Sequence, residues 1–544
     1  MHLARVSVPG VRGLSASSGR AGIGWQRHSV HRRTKDHRMS HPARTAETVA
    51  VLEETIADYA GTLAPAVSVA AFDATGVIAW HGVGEPRLDG APVTRETVFR
   101  IASMSKSFLA ATALALDEAG ALDLAAPVAR YLPGVRFTYR GIDYPVTVAE
   151  LLSNRSGMPE DNAWADRQLG SSREYIAGLF AEGIGLTQAP GVGYQYSNLG
   201  MSLVGRVIEA AVGRSVEAEI TSRFIEPLGL TGTRFAVEHY GEGTDVAHGF
   251  RTFDTGATFI QEPFIGEGAL ACIGGLFSTV DDIATWSWFL ASGYTNEPLA
   301  PELLSARSRI EMQRVHTPIP VPAATEFRDL TALGYGLGLF PAHDRRLGAT
   351  VDHSGGLPGF SSNMRWHTDS GVGVVVFGNS DAFRADTLAM AAHAGVLRAK
   401  AVPPRTVEPW PLALEAGALL DGLIRGGEPL AGAAHLTSSN FFADVPDEVR
   451  TARVAELLQT VGEPRERTSF GERIVGASDA AHLRWRIDCA HGALVCDIRL
   501  IGLSAPLVQS LTVAIADETG TKPLAGEPGL QVLAAVAREG SPVS

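Results

Sequence analysis

Short strand-like runs stand at both ends of the long first part of the chain, with helical pattern between them, and that order limits the fold more than any other feature. Ala66–Phe72 and Val77–Val83 are apolar runs joined at Asp73-Ala74-Thr75-Gly76, which has hairpin-turn chemistry. A helical pattern, Ala46 to Tyr59 with Val49, Leu52 and Ile56, precedes them. Strands return late, as Gly334–Phe340, Thr350–His353, Phe360–Trp366 and Gly373–Gly378, short apolar or alternating segments separated by glycines. In between, Phe108–Leu116 ends at Gly120, Leu199–Val212 is closed by Gly213, and Thr147–Leu152 and Asp281–Leu290 read as further helices, the last with Ser278 and Thr279 as candidate caps. This order specifies an antiparallel sheet assembled from both ends of the domain, flanked by helices and with an all-helical subdomain. It is an α+β pattern rather than alternating βαβ units.

At 544 residues the chain is too long for one hydrophobic core. Residues 1–44 are expected to form a disordered basic extension, because Arg5, Arg12, Arg20, Arg27, Arg32, Arg33, Lys35 and Arg38 are opposed only by Asp36. No apolar stretch follows that basic run, so it does not read as a secretory signal, and a cytoplasmic location is expected. The main domain is expected over residues 45–400. Residues 401–415, with Pro403, Pro404, Pro409 and Pro411, read as a stiff linker. Residues 416–544 read as a small accessory α+β domain, with a helix through Val454, Leu457, Leu458 and Val461, then strands at Leu483–Cys489, Leu494–Leu500 and Val508–Ile515.

Charge and composition exclude several classes of partner. A net charge of −13 lacks the basic footprint that nucleic acid needs. No apolar run has the length of a membrane span. The three cysteines, Cys272, Cys489 and Cys496, form no disulfide framework, although Cys489 and Cys496 flank a turn and either face each other or pack as small buried residues. No Cys/His cluster has zinc spacing, and neither a metal nor an organic cofactor is implied. The expected partner is a small-molecule ester, amide or peptide substrate, and a homo-oligomer stays open.

The most informative segment is Phe99-Arg100-Ile101-Ala102-Ser103-Met104-Ser105-Lys106-Ser107-Phe108, where a strand-like run feeds a helix. Ser103 falls at the junction. Free backbone N–H groups and the helix dipole favour negative charge there, which suits an alkoxide or an oxyanion. Lys106 follows one helical turn later, on the same face. Its amine can lose a proton when desolvated, which a guanidinium cannot do. The lysine inventory sharpens the point: only Lys35, Lys106, Lys400 and Lys522 are present, and nearly every other cation is Arg. The competing reading makes Ser103 an ordinary helix cap.

Two further segments carry complementary groups. Tyr194-Gln195-Tyr196-Ser197-Asn198-Leu199 follows the turn-rich Pro190-Gly191-Val192-Gly193 and opens a helix. Tyr196 and Asn198 are expected to point into one cavity. A phenol beside an ammonium has a depressed pKa and relays protons, and Asn198 is expected to hold Lys106 or a substrate amide. Their competing readings are packing and capping. Asp352-His353-Ser354-Gly355-Gly356 follows a β-branched run, and its glycines at a strand edge let a substrate backbone lie close. The N–H groups of Gly356 and Ser103 are expected to form an oxyanion hole. For His353 the competing reading is a partly exposed strand histidine.

Together these elements resemble the serine β-lactamase and penicillin-binding-protein superfamily. Ser103-Met104-Ser105-Lys106 resembles its Ser-x-x-Lys, Tyr196-Ser197-Asn198 the Tyr-x-Asn of its class C branch, and His353-Ser354-Gly355 a His variant of its Lys-Thr-Gly strand. Leu151–Pro159 and Gly274–Thr279 resemble further landmarks, and the likeness covers about residues 45–398. It implies a serine hydrolase with Ser103 as acylated nucleophile, Lys106 and Tyr196 as proton carriers, and Asn198, His353, Ser354, Gly355 and Gly356 lining the substrate and oxyanion sites. Because His353 replaces the lysine, an esterase or amidase leads over a β-lactamase or D-Ala-D-Ala carboxypeptidase. A non-catalytic sensor or binding protein is the third reading. The last domain resembles a cystatin-like or steroid-isomerase-like accessory domain, through Phe441–Pro446 and Ile501-Gly502-Leu503.

Overall fold

The computed structural model describes residues 41–59, 63–402, 408–465 and 468–517. Most of the expected basic extension lies outside the described residues. Residues 41–44 instead belong to the first helix, α1 (His41–Tyr59).

The main domain is built on one eight-stranded sheet. Its strands are β1 (Ala66–Asp73), β2 (Gly76–Gly84), β3 (Thr317–Pro318), β4 (Leu330–Tyr335), β5 (Phe340–Asp344), β6 (Gly348–Leu357), β7 (Phe360–His367) and β8 (Gly373–Gly378). The order across the sheet is β3-β4-β5-β6-β7-β8-β1-β2, every pair antiparallel. The N-terminal hairpin therefore docks on the last strand, with Val69 opposite Val376.

Side-chain alternation makes this a two-faced sheet. Ala66, Ala70 and Phe72 of β1, with Val375 and Phe377 of β8, join the core on one face. Val67, Val69 and Ala71, with Val374 and Val376, join the core on the other. The second face is covered by α1 and by the helix Ala385–Ala399, whose Leu388, Ala389, Ala392 and Val396 are fully buried. The first face packs on the helical region. There α2 (Ser105–Glu118) is buried at every position from Ser105 to Leu116. Trp286, on the helix Val280–Ala291, stacks on Phe108 of α2 with ring centroids 3.8 Å apart and donates its indole N–H to Ser107 Oγ at 2.9 Å.

Two expectations about local structure are corrected. Gly334–Phe340 is not one strand; it is the end of β4, a tight turn and the start of β5. Gly338 takes φ +70°, and a Cβ there would stand 2.7 Å from the carbonyl oxygen of Lys106, so the turn is pressed against α2 and accepts only glycine. The expected linker 401–415 also ends early. Pro411 is the first residue of a helix, Pro411–Gly426, a position where the missing N–H costs nothing.

That helix, the helix Asp447–Val461 and a four-stranded antiparallel sheet (Ile474–Gly476, His482–Asp488, Ala493–Ile501, Leu507–Ile515, in chain order) form a second unit with a core of its own, including Leu420, Trp485, Leu494, Cys496 and Val513. All three cysteines are free and buried, so Cys489 and Cys496 pack as small apolar groups. Among the described residues no helix is long and apolar enough to cross a membrane.

Candidate active site

The nucleophile segment is fixed from both sides. Phe99–Arg100 pairs with Phe277–Ser278, and Ile101 N–H donates to Leu276 O at 2.9 Å. Ala102 follows with φ +48°, left-handed for a residue that has a side chain, which is local strain held by the surrounding packing. Ala102–Met104 is a single 3-10 turn leading into α2. From Ile101 to Leu116 every residue is buried except Ser103. Ser103 does not cap the helix through its side chain; its hydroxyl instead accepts a hydrogen bond from Lys106 Nζ at 2.9 Å.

Lys106 has no exposed surface. Its amine also donates to Ile273 O at 3.0 Å, a carbonyl at the edge of the expected Gly274–Thr279 landmark. Burial lowers its pKa from 10.5 to about 7, against the upward pull of Asp166 and Asp161. A neutral amine beside a hydroxyl is a base at working pH.

Tyr196 arrives from the other side. Its ring lies under the Lys106 ammonium, 5.0 Å from Nζ to the centroid, and its hydroxyl is within hydrogen-bonding reach of Ser103. The expected depression of its pKa is not found. Burial raises the phenol above its ordinary value, with Tyr194, Asp166 and Asp161 adding to the rise, and the neighbouring amine is itself only about half protonated at pH 7. Tyr196 thus keeps its proton and is placed to donate it.

The expected contact between Asn198 and Lys106 is not among the hydrogen bonds of the described residues. Asn198 is buried, and its side-chain N–H donates to Asn162 Oδ1 at 2.6 Å; the second partner of Lys106 is the Ile273 carbonyl instead. The cap of its helix, Asn198–Val212, is Ser197, whose Oγ accepts from Gly200 N–H at 3.0 Å. Asp161 completes that end: its carboxylate accepts from Asn198 N–H (2.7 Å), Leu199 N–H (2.9 Å) and Ser197 Oγ (3.1 Å). Asn154, in the left-handed region at φ +52°, takes the Ser197 N–H on its side-chain oxygen at 3.0 Å and the Gln195 N–H on its backbone carbonyl at 3.0 Å. These contacts hold the Tyr196 segment against the nucleophile.

β6 forms the opposite wall. A Cβ on Gly355 would lie 2.2 Å from Ile101 O and 2.2 Å from Ser362 Oγ, so only glycine lets β6 lie against the nucleophile segment. Gly356 faces open space. Ser354 Oγ accepts from Asn363 Nδ2 at 2.9 Å, across the β6–β7 ladder. His353 is 1 % exposed, not partly exposed, and burial lowers its pKa to about 3. Its Nδ1 lies 2.6 Å from Ser354 O and its Nε2 3.4 Å from the Tyr335 hydroxyl, the pattern of a neutral ring with the proton on Nδ1. Tyr194, Tyr196, Tyr335, Phe340 and His353 make an aromatic wall, with Tyr335 and Phe340 edge to face at 4.7 Å.

These groups converge on one cleft of about 870 Å³, lined by Ser103, Tyr196, His353, Ser354, Gly355 and Gly356. A cavity of about 740 Å³ around Glu217, Arg234 and His239 contains none of them. Also lining the cleft are Glu160, Asn162, Asp166, Arg251, Asp381, Arg384 and Asp386, residues that the sequence reasoning did not name. No motif or periodicity marks them; Asp161 caps a helix from more than thirty positions away in sequence, beyond the reach of any local capping rule.

A family model described as Beta-lactamase matches residues 52–397. A penicillin-binding protein of Bacillus subtilis (strain 168) is 24% identical over 335 residues, 58% of this chain and 68% of its own length. Other curated relatives, such as Protein flp of Staphylococcus aureus, are spanned over about half their length, 55%. Among solved structures, the octameric penicillin-binding protein homologue from Pyrococcus abyssi aligns over 87% of this chain and 96% of its own, at TM-score 0.55 and 20% identity. The D-amino acid amidase from Ochrobactrum anthropi SV3 aligns over 66% of this chain and 99% of its own, at TM-score 0.52 and 22% identity.

Proposed function

This chain belongs to the Beta-lactamase family, and on that premise we propose that it is a serine hydrolase that cleaves a small ester or amide through an acyl-enzyme on Ser103. One observation carries this reading: a hydroxyl open to the cleft accepts a 2.9 Å hydrogen bond from a buried amine whose pKa has fallen to about 7.

The cycle follows from the proton inventory. Lys106, neutral, takes the Ser103 proton as Oγ bonds to the substrate carbonyl carbon. The carbonyl oxygen becomes an oxyanion, for which the N–H of Ser103, at the start of the helical turn, is one donor. The N–H of Gly356 is the other. β6 and β7 are joined by a two-residue turn, with Leu357 opposite Phe360, and strand alternation then turns the Gly356 N–H away from β7. On that side β5 has already ended, its last pairing being Phe340 with Asp352. The tetrahedral adduct collapses as the bond to the leaving group breaks. Tyr196 protonates that group and recovers a proton from the Lys106 ammonium. Water then attacks the ester on Ser103, gives its proton to Lys106, and the serine leaves by the reverse route.

His353 argues for ester and amide substrates over β-lactams. A neutral imidazole supplies no fixed cation for the carboxylate of a β-lactam or of a D-Ala terminus. The amidase among the structural neighbours is compatible with this preference. The test sets a nitrophenyl acyl ester against a chromogenic cephalosporin. We expect a higher kcat/KM for the ester by at least about tenfold, the effect of one missing charge-assisted contact. A preference for the cephalosporin would assign the chain to β-lactam hydrolysis instead.

A further inference from the structure

The charges lining the cleft do not balance. Arg167 pairs with Glu262 at 3.0 Å, Arg251 with Asp381 at 3.0 Å, and Arg384 with Asp386 through two contacts of 3.0 and 3.1 Å. Every arginine of the cleft is therefore neutralised by a carboxylate. Two carboxylates remain, Glu160 and Asp166. Glu160 is exposed and accepts from Asn162 Nδ2 at 3.0 Å. Asp166 is partly buried, and among the described residues its carboxylate has no hydrogen-bond or ion-pair partner.

An unpaired carboxylate withdrawn from water costs stability unless something compensates it. Lys106 exerts the largest opposite-charge pull on it, but at pH 7 that amine is only about half protonated and is committed to Ser103 and Ile273. Burial raises the carboxyl of Asp166 to about 6, with Lys106 pulling it down and Asp161 pushing it up, so it is ionised at neutral pH. Its place is rigid: the flanking Ala165 and Leu169 are each 1 % exposed, and its backbone N–H closes the short helix Asn162–Ala165 on Asn162 O at 3.0 Å.

We propose that Asp166 is the substrate-selecting residue of this cleft, holding an ammonium group that the substrate carries close to its reacting carbonyl, as in an aminoacyl amide or ester. The inference rests on acylation of Ser103 as described above and adds the substrate's charge to it. The neutral His353 and the paired arginines offer no site for a carboxylate, so the cleft favours cations over anions.

The experiment uses matched anilides, alanine p-nitroanilide in both stereoisomers and propionyl p-nitroanilide, on the wild-type chain, Asp166→Asn and Asp166→Glu. Because the ammonium also alters the intrinsic reactivity of the carbonyl, the quantity read is the ratio of kcat/KM for the two substrates and how it changes with residue 166. Asp166→Asn should lower that ratio roughly 10- to 100-fold, mainly through KM, as loss of a charge-assisted contact does, and Asp166→Glu should restore part of it. A ratio independent of residue 166, or equal losses on both substrates, overturns the proposal while leaving the hydrolase reading in place. Equilibrium dialysis of alaninamide against propionamide on the same proteins reads this selectivity without turnover. Should Ser103 prove unreactive, equal binding of the two amides to wild type and to Asp166→Asn would still overturn the proposal.

Discussion

Replacing Ser103 by Ala should lower kcat/KM for any ester or amide substrate by roughly 10⁴- to 10⁶-fold, the range seen when a covalent nucleophile is removed. The fold should survive, because Ser103 is the one partly exposed residue between Ile101 and Leu116 and its hydroxyl serves no helix cap. Its described role in the resting protein is to accept from Lys106 and to meet the Tyr196 hydroxyl, so its loss removes chemistry and little packing. Turnover by the purified variant, with circular dichroism to confirm folding, checks this. Activity within tenfold of wild type would show that another group forms the acyl-enzyme.

Lys106 carries the second large effect, with opposite consequences for activity and stability. Lys106→Met should cost roughly 10²- to 10⁴-fold in kcat/KM by removing the general base. Lys106→Arg should do the same, since a guanidinium does not give up its proton. In wild type the acid limb of kcat/KM should rise with pH through about 7, where the buried amine becomes neutral. At pH 6 roughly a tenth of the protein is then competent. The stability sign follows from linkage. The amine titrates at about 7 when folded, against 10.5 as its ordinary value. Folding below 10.5 must therefore strip or bury a proton that the unfolded chain keeps. The penalty is largest below about 7 and fades as pH rises towards 10.5. Lys106→Met should accordingly raise the melting temperature at neutral pH, by roughly 2–4 °C per kcal/mol recovered in a chain of this size, and the gain should shrink as pH rises. A calorimetric scan at several pH values reads it, and a variant less stable than wild type at pH 7 would show that the amine is structural.

What could be read from the sequence was local. The Ser-x-x-Lys spacing, the turn-then-helix around Tyr196 and the glycine pair after His353 each lie within a few consecutive residues, so their geometry is set by short-range rules. The strands Ala66–Asp73 and Gly373–Gly378 could likewise be seen because both cores of the sheet bury them by turns. What could not be read was made by distant segments meeting. Ile273 holds Lys106 through a backbone carbonyl, an acceptor every residue has and no side-chain pattern reveals. Asp161 caps a helix begun by Asn198, and Asn198 turns to Asn162 where the motif alone pointed it at the amine. The raised pKa of Tyr196 is not legible locally, because proximity to a lysine implies a full cation, whereas burial withdraws the phenol from water and brings that lysine down to about 7. Pro411 marked a linker by composition, yet it opens a helix.

The central claim is that Ser103, activated by Lys106, becomes covalently acylated. Acid-quenching the protein with an activated ester and mapping the modified peptide by mass spectrometry tests it most directly. The account predicts one acyl group, on the peptide carrying Ser103, absent from Ser103→Ala and slow to form in Lys106→Met. An adduct on another residue, or sustained wild-type turnover with no adduct on Ser103, would contradict it.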